Sequence, residues 1–176
     1  TAFNYVTSAS NTFIPLFAKE LGAAKYELGF VTTLICLAGM AGSSLSDKIG
    51  RKLGIKRSIF INLILLVVSY CFAIPFVDNL YILYIMVFIG GFNGYLLVSQ
   101  NLGLILKNVD PSYKSSVVSF YQSFYGLGMI FGPILTGFIR DTIGINAGYI
   151  VIGFIGLATA FISLYYKPSL ELTAKQ

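Results

Sequence analysis

The sequence predicts an all-α polytopic membrane protein with six transmembrane helices. Of its 176 residues, 56% are apolar and only 11% are charged, whereas a soluble domain carries about 25% charged residues. The mean hydropathy is +0.81. The apolar residues are gathered into six runs, each near the roughly 20 residues that a helix needs to cross a bilayer. Because these runs fill almost the whole chain, we expect a single six-helix bundle over residues 1–176.

The six predicted spans follow one another with short polar connections. The first span is the most polar of the six. In order, the spans cover residues 1–18, 28–46, 58–76, 80–106, 115–139 and 147–166. The connections after the third, fourth and fifth spans carry Asp, Asn, Pro and Gly, which are typical of turns.

The positive charges predict which side of the membrane each connection faces. The segments after the second, fourth and sixth spans hold nine Lys or Arg residues, and the other connections hold three. Lys and Arg accumulate on the cytoplasmic side of membrane proteins. We therefore expect both ends of this segment to be cytoplasmic and the protein to lie in the cell membrane.

An ordered set of small, acidic and basic residues follows the second span: Ser43, Leu45, Asp47, Lys48, Gly50, Arg51 and Lys52. This set resembles the loop signature of the major facilitator superfamily, Gly-x-Leu-x-Asp-Arg/Lys-x-Gly-Arg-Arg/Lys, with Ser43 in place of the leading Gly. The resemblance implies a gating loop that holds the cytoplasmic helix ends together in one conformation and releases them in the other. It also implies one half of a twelve-helix fold, with the N-terminal half favoured. The second half would lie in the same chain or in a dimer mate.

The fifth predicted span carries a stripe of small residues, because Gly128, Gly132 and Thr136 recur every four positions. Such a stripe allows another helix to approach closely, and Pro133 is expected to bend the helix. Gly128, Gly132, Pro133 and Gly137 resemble the fifth-helix pattern of antiporters in the same superfamily, with Thr136 in place of one Gly. General tight packing and an antiporter role both remain open.

Traces of an internal repeat relate the first three spans to the last three. Asp47 and Asp141 are both followed by x-Ile-Gly, near the ends of the second and fifth spans. Amide side chains lie seven residues apart on the first span, at 4 and 11, and on the fourth span, at 93 and 100. We therefore expect a 3+3 repeat of inverted topology, as in many transporters.

Polar side chains inside the predicted spans are candidates for the substrate cavity. Such groups are costly in hydrocarbon and usually face the protein interior or a water-filled cavity. The alternative is that they bond only to neighbouring helices. The candidates are Asn4, Ser8 and Asn11 on the first span, Asn93, Gln100 and Asn101 on the fourth, and Gln122 and Tyr125 on the fifth.

The middle of each predicted span lacks Asp, Glu, Lys and Arg. This half alone therefore offers no carboxylate for proton coupling and no counter-ion for a charged substrate. We expect a secondary-active transporter that moves small molecules by alternating access. The alternatives within transport are a passive facilitator and a homodimeric six-helix transporter. A non-transporting membrane structural or assembly protein, or a receptor, is the alternative from another class.

Several other classes of function are disfavoured by the composition. The sequence contains no His, and neither its Cys residues nor its carboxylates are paired for chemistry, so we expect no enzyme, no cofactor and no metal site. The basic residues lie at the ends of apolar runs rather than on one face, which argues against nucleic acid. The expected partners are the lipid bilayer, a small-molecule substrate and the second six-helix half.

Overall fold

The computed structural model describes residues 2–107 and 109–165, and no strand occurs among them. Six long helices follow one another along the chain. They are α1 (Ala2–Glu20), α2 (Lys25–Leu53), α3 (Ile55–Val67), α4 (Leu80–Leu106), α5 (Lys114–Ile143) and α6 (Ile145–Tyr165). The prediction of an all-helical chain is confirmed.

Five stretches of the described chain are long and apolar enough to cross a membrane. They are α2, α4, the stretch Ile55–Phe76 that begins with α3, the stretch Pro111–Ile143 that ends with α5, and residues 146–163 of α6. The 19-residue helix α1 is not among these five. Its first half carries Asn, Thr and Ser, which lower its apolar character. That α1 crosses the membrane therefore stays a prediction.

The segment predicted to be a gating loop is helical. Helix α2 continues seven residues beyond the predicted end of the second span, to Leu53, and α3 begins at Ile55. Gly54 alone joins them, and its φ of 79° lies in the left-handed region, which glycine adopts without a steric penalty. The motif residues therefore lie in the last turns of α2 rather than in a loop between the helices, and Asp47 and Arg51 pair along the helix, one turn apart.

The third span departs from regular α geometry near its end. A π-helical turn, Val68–Ala73, follows α3, and a 3-10 turn, Ile74–Phe76, closes the span. Pro75 has no N–H for the helix and its ring crowds the carbonyl group four residues earlier, which explains the irregular turns. Tyr70 lies in the π turn, is fully buried and has its ring against Gly90 of α4, where a Cβ atom would overlap it.

The long helices pack against one another mainly in pairs. Helix α2 lies along α4, and α5 lies along α1; α3 contacts α4, and α6 contacts α1. Helices α3 and α6 also contact each other, with edge-to-face pairs Phe60–Phe161 and Phe72–Phe154. The buried apolar core is shared by α1, α2, α3, α4, α6 and the turns that follow α3; α2 contributes Val31 and Ile35. By contrast, α5 leaves most of its apolar side chains exposed, and among the described residues it buries only Gly128, Gly132 and Thr136.

The bundle has two ends that differ in charge. One, here called the basic end, contains the Gly54 corner and the connection from α4 to α5; its described residues include seven Lys or Arg and two Asp. The other, here called the opposite end, contains the Gly144 corner and the connections from α1 to α2 and from α3 to α4. It includes three Lys or Arg and four Asp or Glu.

Candidate functional site

The last turns of α2 carry the charged residues of the predicted motif. Asp47 pairs with Arg51 at 2.6 Å between a carboxylate oxygen and Nη2, and both side chains are largely exposed. Lys48 and Lys52 are exposed as well, whereas Gly50 is buried. Ser43 is half-buried and Leu45 is exposed. The charged groups therefore face outward at the basic end, where a further protein segment could reach them.

A buried hydrogen-bonded junction lies beneath these charges and joins α2, α3 and α4. Gln100 of α4 is 4% exposed. Its Nε2 donates to the backbone carbonyl oxygen of Ser46 in α2 at 3.1 Å and to the hydroxyl of Ser58 in α3 at 2.7 Å. Nδ2 of Asn62 donates to the same hydroxyl at 3.1 Å. A cavity of about 390 Å³ adjoins the junction, lined in part by Asp47, Gly50, Arg51, Ser99, Gln100 and Lys107.

The helix pair that carries this junction meets backbone to backbone. A Cβ atom on Gly42 of α2 would overlap the carbonyl oxygen of Phe92 in α4, and one on Gly91 would lie 3.2 Å from the carbonyl oxygen of Ile35. Gly39 faces the ring of Tyr95, whose Cδ2 would lie 2.5 Å from an added Cβ. Small residues of this kind let transmembrane helices approach closely. Sequence reasoning missed this stripe on α2, although Gly39 and Gly42 were visible in the sequence.

The predicted motif of α5 faces the bundle only in part. Gly128, Gly132 and Thr136 are buried, and the Thr136 hydroxyl donates to the carbonyl oxygen of Gly132 at 2.8 Å. Pro133 and Gly137 are half-buried, and α5 continues past Pro133 without a break. A Cβ atom on Gly148 of α6 would lie 3.3 Å from the methyl group of Thr136. These positions therefore lie at the contact of α5 with its neighbours.

Six of the eight predicted cavity residues have side chains that the structure describes, and their surroundings differ from one to the next. Asn93 and Asn101 use their amide N–H groups on carbonyl oxygens of their own helix, at 2.7 and 2.8 Å. Asn11 is half-buried, and its Oδ1 has no partner among the described residues. Gln122 is exposed and Tyr125 is half-buried. Asn4 and Ser8 lie outside the residues whose side chains are described.

The connection from α4 to α5 holds a second exposed acid at the basic end. The Asp110 carboxylate accepts hydrogen bonds from the N–H of Ser112 at 2.9 Å and from its hydroxyl at 2.5 Å. These bonds favour the charged form and hold the pKa of the Asp110 carboxyl below its usual range. Asp110 and Asp47 are thus two exposed carboxylates at one end of the bundle with different partners.

No metal site is formed by the residues that the structure describes, since no three His, Cys, Asp or Glu side chains come together. Sequence reasoning also missed Ser46, Ser58 and Asn62. Their spacing within their own helices carries no signal for a contact between helices.

Comparison with known proteins identifies the family of this helical bundle. The family model described as Major Facilitator Superfamily matches residues 1–175. The chain is 31% identical over 134 residues to Quinolone resistance protein NorA of Staphylococcus aureus (strain MRSA252), which covers 73% of this chain and 33% of that protein.

A second relative matches more of the chain. The chain is 25% identical over 187 residues to Multi-drug resistance efflux pump PmrA of Streptococcus pneumoniae serotype 4, covering 98% of this chain and 45% of that protein. The chain thus spans between a third and a half of the length of these relatives. The match over residues 1–175 agrees with the long apolar helices. The chain therefore belongs to the major facilitator superfamily, whose members are integral membrane transporters and not enzymes.

Proposed function

We propose that this chain forms one six-helix half of a secondary-active transporter that exports small organic molecules by alternating access. The observation that carries the proposal is the family match over residues 1–175, in a bundle whose described Asp, Glu, Lys and Arg side chains lie near the helix ends. Two relatives are a quinolone resistance protein and a multi-drug resistance efflux pump by name. Their names support small organic substrates. The described spans carry no Asp, Glu, Lys or Arg in their middle parts, so a counter-charge for an ionised substrate would come from the second half.

We assign the chain to the N-terminal half of a twelve-helix protein built as a 3+3 inverted repeat. The packing of α2 on α4 and of α5 on α1 relates the two three-helix units. Gly54 and Gly144, both with positive φ, form the corners that follow α2 and α5. Asp141 lies three residues before its corner, whereas Asp47 lies seven before its own. The first unit thus has one additional helical turn, and this turn carries Arg51 and Lys52.

The basic end is proposed to face the cytoplasm. Seven of the ten Lys and Arg residues among the described residues lie there, in accord with the positive-inside tendency. The Asp47 carboxylate would then serve a cytoplasmic gate. Because it is exposed and its one ion pair lies within its own helix, it can exchange Arg51 for donors of the second half without losing a buried contact.

The test measures quinolone export by the full-length protein in a susceptible bacterial host. Quinolones are fluorescent, so their intracellular concentration can be followed directly. We expect cells with the protein to hold less quinolone than cells with an empty vector, and a protonophore to abolish the difference. Equal accumulation in both would contradict the export of this class. A difference that persists with the protonophore would point to an energy source other than the proton gradient. A passive facilitator would instead speed quinolone entry or exit without lowering the steady-state concentration.

The size of the native polypeptide tests the two-half arrangement. An antibody raised against residues 47–57 should detect a band at about 40 kDa in the source membrane, as two fused six-helix bundles require. A band near 19.2 kDa would contradict the twelve-helix chain and favour the homodimeric alternative.

A further inference from the structure

Gln100 of α4 makes hydrogen bonds to both helices that meet at the Gly54 corner, α2 and α3. One acceptor is the carbonyl oxygen of Ser46, the residue immediately before Asp47. The other is the hydroxyl of Ser58, which lies in the first turn of α3. A single buried amide therefore fixes the turn of α2 that carries the motif and the start of the following helix.

The orientation of the Gln100 amide is determined by its partners. A backbone carbonyl such as that of Ser46 only accepts hydrogen bonds, so the nitrogen of the amide must face it. Ser58 is held from its other side by Asn62, whose Nδ2 donates to the Ser58 carbonyl oxygen at 2.6 Å and to the hydroxyl at 3.1 Å. The junction is thus a connected set of side chains rather than one isolated contact.

Gly50 provides the space that Gln100 occupies. A Cβ atom at Gly50 would lie 3.3 Å from Nε2 of Gln100 and 3.3 Å from Cδ1 of Ile55. Both distances are shorter than ordinary van der Waals contact, so even a methyl group at this position would require the amide and the Ile55 side chain to shift by a few tenths of an ångström. This contact gives a physical reason for a glycine at this place in the motif, one turn after Ser46.

We propose that Gln100 is a positioning residue that holds the charged end of α2 at a fixed place on α4 and α3. Gly50 leaves the space that the Gln100 amide occupies. This assignment rests on the proposed function of Asp47 as part of a gate. It replaces the expectation that Gln100 binds substrate: Nε2 makes both hydrogen bonds inside the helix junction, and Oε1 is buried with no hydrogen-bond partner among the described residues. Loss of the amide should therefore slow turnover and leave substrate affinity unchanged.

The first test is a double-mutant cycle on the full-length protein with Gly50→Ala, Gln100→Ala and the double variant. Loss of a buried hydrogen bond typically corresponds to about tenfold in an equilibrium, so Gln100→Ala should reduce the maximal rate of quinolone export about tenfold. Gly50→Ala shifts the amide without removing it and should reduce the rate by a smaller factor. The double variant should resemble Gln100→Ala alone, because the methyl group then has no amide to displace. The KM should stay within about twofold in all three.

Two results would overturn the assignment in this cycle. A raised KM with an unchanged maximal rate for Gln100→Ala would return Gln100 to the substrate cavity. Independent effects, with the losses of the two single variants multiplying in the double variant, would mean that Gly50 and Gln100 do not act through one contact.

The second test needs no transport and so separates this proposal from the proposed function. A single cysteine is introduced as Leu104→Cys, at a half-buried position that lines the cavity one helical turn after Gln100, after replacement of the other cysteines by Ser. A water-soluble maleimide should label it about tenfold faster when Gln100→Ala loosens the junction. The matched control is Ser99→Ala, which lines the same cavity and should leave the labelling rate unchanged. Equal rates with and without Gln100 would overturn the positioning role even in a protein that exports quinolones.

Discussion

Replacement of Asp47 by Ala can separate a gating role from a structural one. The Asp47–Arg51 pair is 2.6 Å long, with its side chains 72% and 76% exposed. An exposed pair one helical turn apart contributes only about 0.3–0.5 kcal/mol. The thermal unfolding midpoint of the full-length protein in detergent should therefore fall by no more than about 2 °C.

The expected effect of the same substitution on transport is much larger. If the carboxylate accepts a charge-assisted hydrogen bond in one state of the gate, that bond contributes about 1.5–3 kcal/mol. Its loss should lower the maximal rate of quinolone export by about ten- to a hundredfold. The rate is measured in membrane vesicles containing equal amounts of the protein.

Asp110→Ala provides the matched control for this experiment. Asp110 is an exposed carboxylate at the same end of the bundle, and its described hydrogen bonds go to Ser112 two residues away. Its removal should change the export rate by less than about twofold, since exposed local contacts contribute little. An Asp47→Ala protein that exports at the parental rate would refute the gating role. A loss of export matched by an equal loss of folded protein would refute it as well.

Three further predictions follow from single positions. Gly90→Ala should destabilise the protein by about 1–3 kcal/mol through overpacking, because the added Cβ would overlap the buried ring of Tyr70. Thermal unfolding in detergent measures this loss. The control is Gly103→Ala, whose added Cβ would have nothing within 4 Å and should not destabilise the protein. Asn11→Leu should raise the KM for quinolone export about tenfold if its unpartnered Oδ1 meets substrate, and an unchanged KM would leave Asn11 a packing role. Gly54→Ala should lower the free energy of unfolding by about 1–2 kcal/mol, because φ at this residue is 79°. An unfolding midpoint equal to that of the parent would show that the corner tolerates a side chain.

The sequence predicts the helices best where local signals mark both of their ends. Helix α4 has the predicted bounds, because Asn79 caps its start through a hydrogen bond to the N–H of Tyr81 and a polar segment follows its end. The end of α2 was placed too early, because an apolar run ends where charges begin. A charged helix can nevertheless continue into water when acid and base lie four residues apart.

The contacts between helices are where sequence reasoning fell short. Gln100 was recognised as an unusual polar residue in an apolar span, but its partners Ser46 and Ser58 lie 54 and 42 residues away. Periodicity along one helix reports which face is buried and gives no information on the helix that covers it. Gly50 was recognised from the motif alone, and its contact with Gln100 needed the folded structure.

The backbone contact between α2 and α4 has a mechanical consequence. Where Gly42 meets the carbonyl oxygen of Phe92, no side-chain rotamer is present that could adapt to a change in the angle between the helices. Tilting α2 without α4 would open a gap or cause a steric clash, so the two helices must move as one rigid body. Any change in helix angles within this half then has to occur at side-chain contacts, such as the Phe60–Phe161 and Phe72–Phe154 pairs, where aromatic rings can slide past one another.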